Sequence, residues 1–108
     1  MSVDAGEYEV SSGNVFADLG FAAPEEELAR AELAHRIATI IEDRGLTQAE
    51  AATLMGINQP KVSALVRGRL EGFSLERLTR YLIALGQDVE IIVRPARDEA
   101  HLRVHAAG

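Results

Sequence analysis

The sequence predicts a mainly α fold, a bundle of four to five helices followed by one C-terminal β-strand. Apolar residues recur at helical spacing in four segments between residues 24 and 86, and glycines separate these segments. After residue 88, apolar and polar residues alternate instead, which is typical of a strand. A chain of 108 residues, 47% of them hydrophobic, can bury one modest core. We therefore expect an N-terminal arm over residues 1–23, one folded domain over residues 24–95 and a flexible tail over residues 96–108.

The first helix is expected over roughly residues 24–44. Pro24 suits a first turn, and the glutamates at positions 25–27 stand where the helix dipole favours negative charge. Arg44 and Gly45 supply a basic last turn and a terminating glycine. The apolar face of this helix consists of Leu33, Ile37, Ile40 and Ile41.

Two short helices are expected next, on either side of Gly56. Thr47 and Glu50 form a capping box that opens the first of them, and Asn58 is a suitable cap for the second. Pro60 is tolerated because it lies in the first turn, and Gly68 closes the helix. The expected inner faces are Ala51, Leu54 and Met55 in the first helix and Val62, Leu65 and Val66 in the second.

The last helix and the strand complete the predicted domain. Ser74 caps the helix, Gly86 terminates it, and its inward residues are Leu75, Leu78, Tyr81, Leu82 and Leu85. In the strand that follows, Val89, Ile91 and Val93 alternate with polar residues, whereas Ile92 places an apolar side chain on the opposite face. Pro95 stops the strand.

Composition excludes several classes of protein. The chain has no cysteine, so it contains no disulfide, thiolate zinc site or cysteine nucleophile. No uncharged apolar run approaches the roughly 20 residues that span a bilayer, and the acidic start is unlike a signal peptide. We expect a cytoplasmic protein with no membrane contact.

Catalysis is not expected. The sequence offers no informative nucleophile–base spacing and no glycine-rich phosphate loop, and its only carboxylate cluster is the acidic first turn of the first helix. His101 and His105 are four residues apart but have no third ligand nearby, so no metal site is expected. We predict no catalytic residue and no cofactor.

Charge is distributed unevenly along the chain. The net charge is −6, and residues 1–30 carry seven acidic residues and one basic residue. Residues 58–80 reverse this balance with five basic residues and two acidic ones. The function is therefore sought in this basic stretch.

The basic stretch coincides with a helix-turn-helix pattern, two short helices joined around Gly56. Ala52 is small where the second helix crosses closely, and Gly56 stands where the turn requires a positive φ. With Ile57, Val62 and Leu65 directed into the core, the side chains left facing outward are Gln59, Lys61, Ser63, Ala64 and Arg67. Gln can pair with adenine, and Arg or Lys with guanine, in a major groove.

The segments Gln48–Ile57 and Asn58–Gly68 resemble the Cro and lambda-repressor type of helix-turn-helix, the XRE family, and most closely its HigA-type antitoxin branch. The motif covers residues 46–68, and the family layout extends to about 24–95. The resemblance implies a lambda-repressor-like bundle that binds a palindromic double-stranded DNA operator as a homodimer. Pro60 departs from the family pattern and removes a backbone donor. The expected DNA-binding residues are Gln48, Asn58, Gln59, Pro60, Lys61, Ser63, Ala64, Arg67 and Arg69.

A lone strand leaves its backbone unpaired, and a second copy paired antiparallel about a two-fold axis is the simplest remedy. The predicted dimer interface is Val89, Ile91, Ile92 and Val93. The alternative is pairing with residues 7–10 or 101–104 of the same chain.

The leading hypothesis is a sequence-specific transcriptional regulator, the antitoxin of a toxin–antitoxin pair that represses its own operon. The alternatives are a phage-type repressor without a toxin, and an interaction module that chiefly neutralises a basic partner protein. The acidic arm would meet a small basic toxin, and we expect residues 1–15 to be mobile without it. Arg77 and Arg80 either contact DNA or lie on a solvated face of the last helix. Phe16, Leu19 and Phe21 either pack on the core or bind a partner.

Overall fold

Four helices form the folded domain in a computed structural model that describes residues 23–106. They are α1 (Ala23–Asp43), α2 (Gln48–Met55), α3 (Gln59–Val66) and α4 (Leu75–Ala84). The mainly α class is confirmed, and each predicted helix is present within about two residues of its expected bounds. The arm, with Phe16, Leu19 and Phe21 and the expected mobile residues 1–15, lies outside the described residues.

The predicted caps define where three of these helices begin. Thr47 Oγ1 accepts a hydrogen bond from the Glu50 N–H at 3.0 Å, and Glu50 Oε1 accepts one from the Thr47 N–H at 2.8 Å. The side chains of Asn58 and Ser74 accept bonds at 2.9 and 3.1 Å from N–H groups three residues further on. Each cap satisfies a backbone donor that has no partner inside the helix, so all three predicted N-termini are confirmed.

The core lies where α1 crosses α3 and α4, and α2 closes it from the side of α3. Its centre is fully buried and consists of Ile37, Val62, Leu65, Leu78 and Leu85. Among the described residues the buried ones are all of hydrophobic type, Tyr81 included, and none is charged. The predicted inward faces of α1 and α4 are confirmed in full.

One predicted core residue is wrong. Leu54 is 43% exposed, whereas Ala51, Ala52 and Met55 form the buried face of α2. On a helical wheel Leu54 lies about 60° to one side of Ala51, and Ala52 lies about 100° to the other side. The helix turns toward the smaller residue because α3 and α4 approach it there.

The predicted strand is not formed in the single chain. Residues 87–106 carry neither helix nor strand, and residues 101–104 do not pair with 89–94. Val89 is half-buried against the core, but Ile91 and Val93, expected on its inward face, are 83% and 90% exposed. A strand exists only through hydrogen bonds to a neighbouring strand, and the described part of the chain provides none.

The C-terminal segment returns to the start of α1. Glu25 Oε2 accepts a hydrogen bond from the Leu102 N–H at 3.2 Å and lies 3.2 Å from His101 Nδ1. Leu102 and Val104 are half-buried against the core cluster. Among residues 23–106, no helix is long and apolar enough to cross a membrane.

Candidate nucleic-acid interface

The turn between α2 and α3 fixes how α3 stands on the domain. Gly56 has φ +72°, and its N–H donates to Ala52 O at 2.8 Å, while the Ile57 N–H donates to the same oxygen at 3.1 Å. A side chain at Gly56 would meet nothing within 4 Å, so glycine is required here by the backbone conformation and not by space. The predicted positive φ is confirmed.

Helix α3 has one face in the core and one face in solvent. Val62 and Leu65 are 0% and 1% exposed, which anchors the helix along one stripe. Gln59 and Lys61 are exposed on the other side, and Ser63 and Ala64 are half-buried between the two faces. The polar side chains of this helix are therefore available to a ligand, and the core does not use them.

The nine predicted DNA-binding residues differ in exposure. Six are exposed, namely Asn58, Gln59, Pro60, Lys61, Arg67 and Arg69. The other three, Gln48, Ser63 and Ala64, are half-buried. The predicted set thus lies on the surface of the motif, with none of its members buried in the core.

An open groove of about 460 Å³ runs between α3 and the chain that leads into α4. Four predicted residues line its α3 side, namely Asn58, Pro60, Lys61 and Ala64. The opposite wall consists of Glu71, Gly72, Phe73 and Arg77. The other five predicted residues do not line this groove, namely Gln48, Gln59, Ser63, Arg67 and Arg69. Arg67 borders a smaller depression of about 250 Å³ between α1 and α3.

The sequence analysis missed the opposite wall. It did not name Glu71, Gly72 or Phe73 as site residues, and it left Arg77 undecided between DNA contact and solvent exposure. Membership of the basic stretch 58–80 was the available signal for Arg77. Glu71 carries the opposite charge, and Phe73 is buried. These residues become neighbours of α3 only when the loop folds back toward it.

The charges beside the groove are not equivalent. Arg80 Nη2 donates to Glu76 Oε2 at 2.7 Å, one turn apart on α4. Arg77 lines the groove and takes part in no ion pair with any residue from 23 to 106. Lys61 is exposed on the facing wall. Two uncompensated cations therefore face a groove whose third charge is the carboxylate of Glu71.

Asn58 has a structural task within this site. Its Oδ1 accepts the hydrogen bond from the Lys61 N–H, so this oxygen is committed to the start of α3. The amide nitrogen of the side chain is the donor that remains for a ligand.

Comparisons with known proteins identify the same helix-turn-helix motif. A family model described as a helix-turn-helix domain matches residues 15–94. "Putative antitoxin HigA3" of Mycobacterium tuberculosis is 42% identical over 72 residues, which is 66% of this chain and 66% of that protein, just under two thirds of its length. A solved structure titled "Putative XRE Family Transcriptional Regulator" is 45% identical with a TM-score of 0.72, covering 81% of this chain and 99% of that one.

Proposed function

The chain belongs to the helix-turn-helix family of XRE-type DNA-binding transcriptional regulators, and from that premise we propose that it is an antitoxin that represses its own operon. The single observation that carries the DNA-binding part is the solvent face of α3. This face presents Gln59 and Lys61 while Val62 and Leu65 hold the helix in the core. A helix presented in this way fits the major groove, where Gln reads adenine and Lys reads guanine.

The operator is a palindrome read by a homodimer, and we propose that residues 89–94 form the interface between the two copies. Ile91, Ile92 and Val93 expose 83%, 70% and 90% of their surface, an apolar run that water disfavours. Antiparallel pairing with the same segment of a second copy would satisfy the backbone and cover one face of these side chains. Two linked recognition helices also bind more tightly than one.

The antitoxin part rests on a relative and on charge. The similar protein from M. tuberculosis carries the name of an antitoxin. In this chain the first turn of α1 is acidic, with Glu25, Glu26 and Glu27 in succession. We propose that this turn and the acidic arm before it receive a small basic toxin. The protein would act in the cytoplasm, where its DNA lies.

A footprint on the gene's own upstream region tests the DNA-binding proposal. Two protected half-sites should be related by a two-fold axis and centred about 34 Å apart, one helical turn. Affinity should fall steeply with salt because phosphate contacts release counterions. The proposal would be overturned if this protein gave no protection at concentrations at which a control repressor fully protects its own operator.

A pull-down from the native host tests the toxin partner. A small basic protein encoded by the neighbouring reading frame should be captured by the full chain, and deletion of residues 1–22 should abolish capture but leave operator binding intact. If capture is unchanged after the deletion, the toxin-binding surface lies outside the arm. A gene without such a neighbour favours the plain repressor, the alternative in which no toxin exists.

A further inference from the structure

The loop between α3 and α4, residues 67–74, is fastened to the domain from the far side by Arg30 on α1. The Arg30 Nη1 group donates to Phe73 O at 3.3 Å and to Leu70 O at 3.5 Å, across 43 and 40 residues of sequence. Arg30 is half-buried, and its Nε is buried with no partner among the described residues. Both contacts come from a guanidinium group and are therefore charge-assisted.

The loop that Arg30 holds forms part of the candidate interface. Glu71, Gly72 and Phe73 form one wall of the groove beside α3. Arg69 is exposed on the same loop, where its N–H donates to Ala64 O at 2.9 Å. The position of the loop therefore sets the width of the groove and the place of Arg69 at the end of α3.

Other contacts also hold the loop, since Leu70 is half-buried against the core and Leu70 O accepts a hydrogen bond from the Phe73 N–H at 3.1 Å. Phe73 is buried and packs edge-on against Tyr81, with ring centroids 6.2 Å apart. At the other end, the Gly68 N–H donates to Leu65 O at 3.0 Å. Gly68 and Gly72 both have positive φ, of +80° and +85°. A segment with two glycine bends has many alternative paths, and the Arg30 contacts to Leu70 O and Phe73 O add to the contacts that select the observed one.

We infer that Arg30 is a positioning residue for DNA binding, and that it acts by holding the loop 67–74 so that Arg69 reaches the DNA backbone. The inference rests on the proposed function, because it assumes that this face of the domain contacts DNA. Arg30 itself does not line the groove. Its effect on affinity is transmitted through the carbonyl groups of Leu70 and Phe73.

A double-mutant cycle on the full chain tests the inference with the upstream duplex as the probe. Arg30→Met keeps the bulk of the side chain but removes both hydrogen bonds, and Arg69→Gln removes the loop cation. Each single variant should weaken binding roughly tenfold, the effect of about one charge-assisted contact. Each should also reduce the magnitude of the slope of log affinity against log salt concentration by about 0.9, the value expected for the loss of one phosphate contact. The double variant should bind no more weakly than Arg69→Gln alone, since the two changes remove the same contact.

Arg44 supplies a matched control at the other end of α1. Its Nη1 donates to Leu85 O at 2.9 Å, so Arg44→Met also removes a bond from an arginine to a carbonyl group, but far from the loop. Both variants should lower the melting temperature by about 4–8 °C, the effect of losing one hydrogen bond to a charged group. Only Arg30→Met should change DNA affinity and salt slope when binding is measured well below that temperature. Arg30→Lys keeps a positive charge and should recover part of the affinity.

A second measurement separates the inference from the proposed function. Amide hydrogen exchange in the absence of DNA should accelerate at residues 69–73 in Arg30→Met and stay at the wild-type rate there in Arg44→Met. Unchanged exchange in the loop, or additive losses of affinity in the cycle, would overturn the positioning role. If the exchange difference is observed but the wild-type protein binds no upstream DNA, the proposed function is overturned and, with it, the link from Arg30 to DNA.

Discussion

Asn58 Oδ1 accepts a hydrogen bond from the backbone N–H of Lys61 at 2.9 Å, and this contact ties the start of α3 to the turn before it. Lys61 is thereby held on the exposed first turn of the recognition helix, facing the groove. The residue that caps the helix and the residue proposed to meet the DNA are three positions apart, so a change at Asn58 should affect both stability and binding.

Two substitutions at Asn58 separate these effects. Asn58→Ala removes the cap and should lower the free energy of unfolding by about 1 kcal/mol. Asn58→Asp keeps an equally good cap and should leave that free energy nearly unchanged, but it adds a negative charge beside the DNA. Thermal unfolding followed by circular dichroism, together with operator titrations, should show weaker binding by both variants. If the Asn58→Asp variant binds with wild-type affinity, the DNA does not lie beside Asn58.

Gln59 and Arg69 are expected to act on DNA in different ways. Replacing Gln59 by Ala should reduce discrimination at one base pair by roughly 1–3 kcal/mol, because a paired base edge is lost. Arg69→Ala should weaken binding to all sequences alike and reduce the salt slope by about 1. Titrations against the operator, a point-mutated operator and a random duplex distinguish the two outcomes. Equal losses on all three duplexes for Gln59→Ala would remove it from base readout.

Two arginines one turn apart on α4 form a matched pair. Arg77 lines the groove, whereas Arg80 is held by Glu76 at 2.7 Å. Arg77→Gln should weaken DNA binding and lower the salt slope by about 0.9, and Arg80→Gln should stay close to wild type. Both changes remove one positive charge, so a general charge effect would give equal losses.

Glu71 provides a change of opposite sign in the same groove. Glu71 lies on the wall that faces Lys61, where its carboxylate would repel a DNA phosphate. Glu71→Gln should therefore strengthen binding to every duplex, with the largest gain at low salt. Weaker binding by this variant would indicate that the carboxylate accepts a hydrogen bond from a base, and specificity measurements on cytosine substitutions would then identify it.

Local sequence patterns were sufficient to predict the helix starts and the exposed face of α3. A cap involves residues three apart, as between Ser74 and Arg77, so the sequence contains both partners side by side. The spacing of Val62 and Leu65 likewise identifies which side of α3 is free. Both features depend on the geometry of one helix alone.

Long-range contacts could not be predicted in the same way. Arg30 meets Phe73 across 43 residues, and Glu25 meets Leu102 across 77, and neither pair shows a periodicity. The prediction that Leu54 is buried was wrong for a related reason. A helix of eight residues has several candidate inner faces, and the packing of its neighbours determines which of them is buried. The wall with Glu71 and Arg77 depends on a loop path set by such contacts.

The final prediction concerns assembly through residues 89–94. Ile92→Pro would remove a backbone donor from an intermolecular ladder and leave the helix-turn-helix untouched. Sedimentation should then give a monomer, with helical circular dichroism largely retained and operator binding much reduced, because a single recognition helix loses the gain from effective concentration. Ala96→Pro, just beyond Pro95, adds a proline outside the segment and should stay dimeric. An Ile92→Pro variant that remains a dimer would exclude this segment as the main interface, since a central ladder position does not tolerate proline.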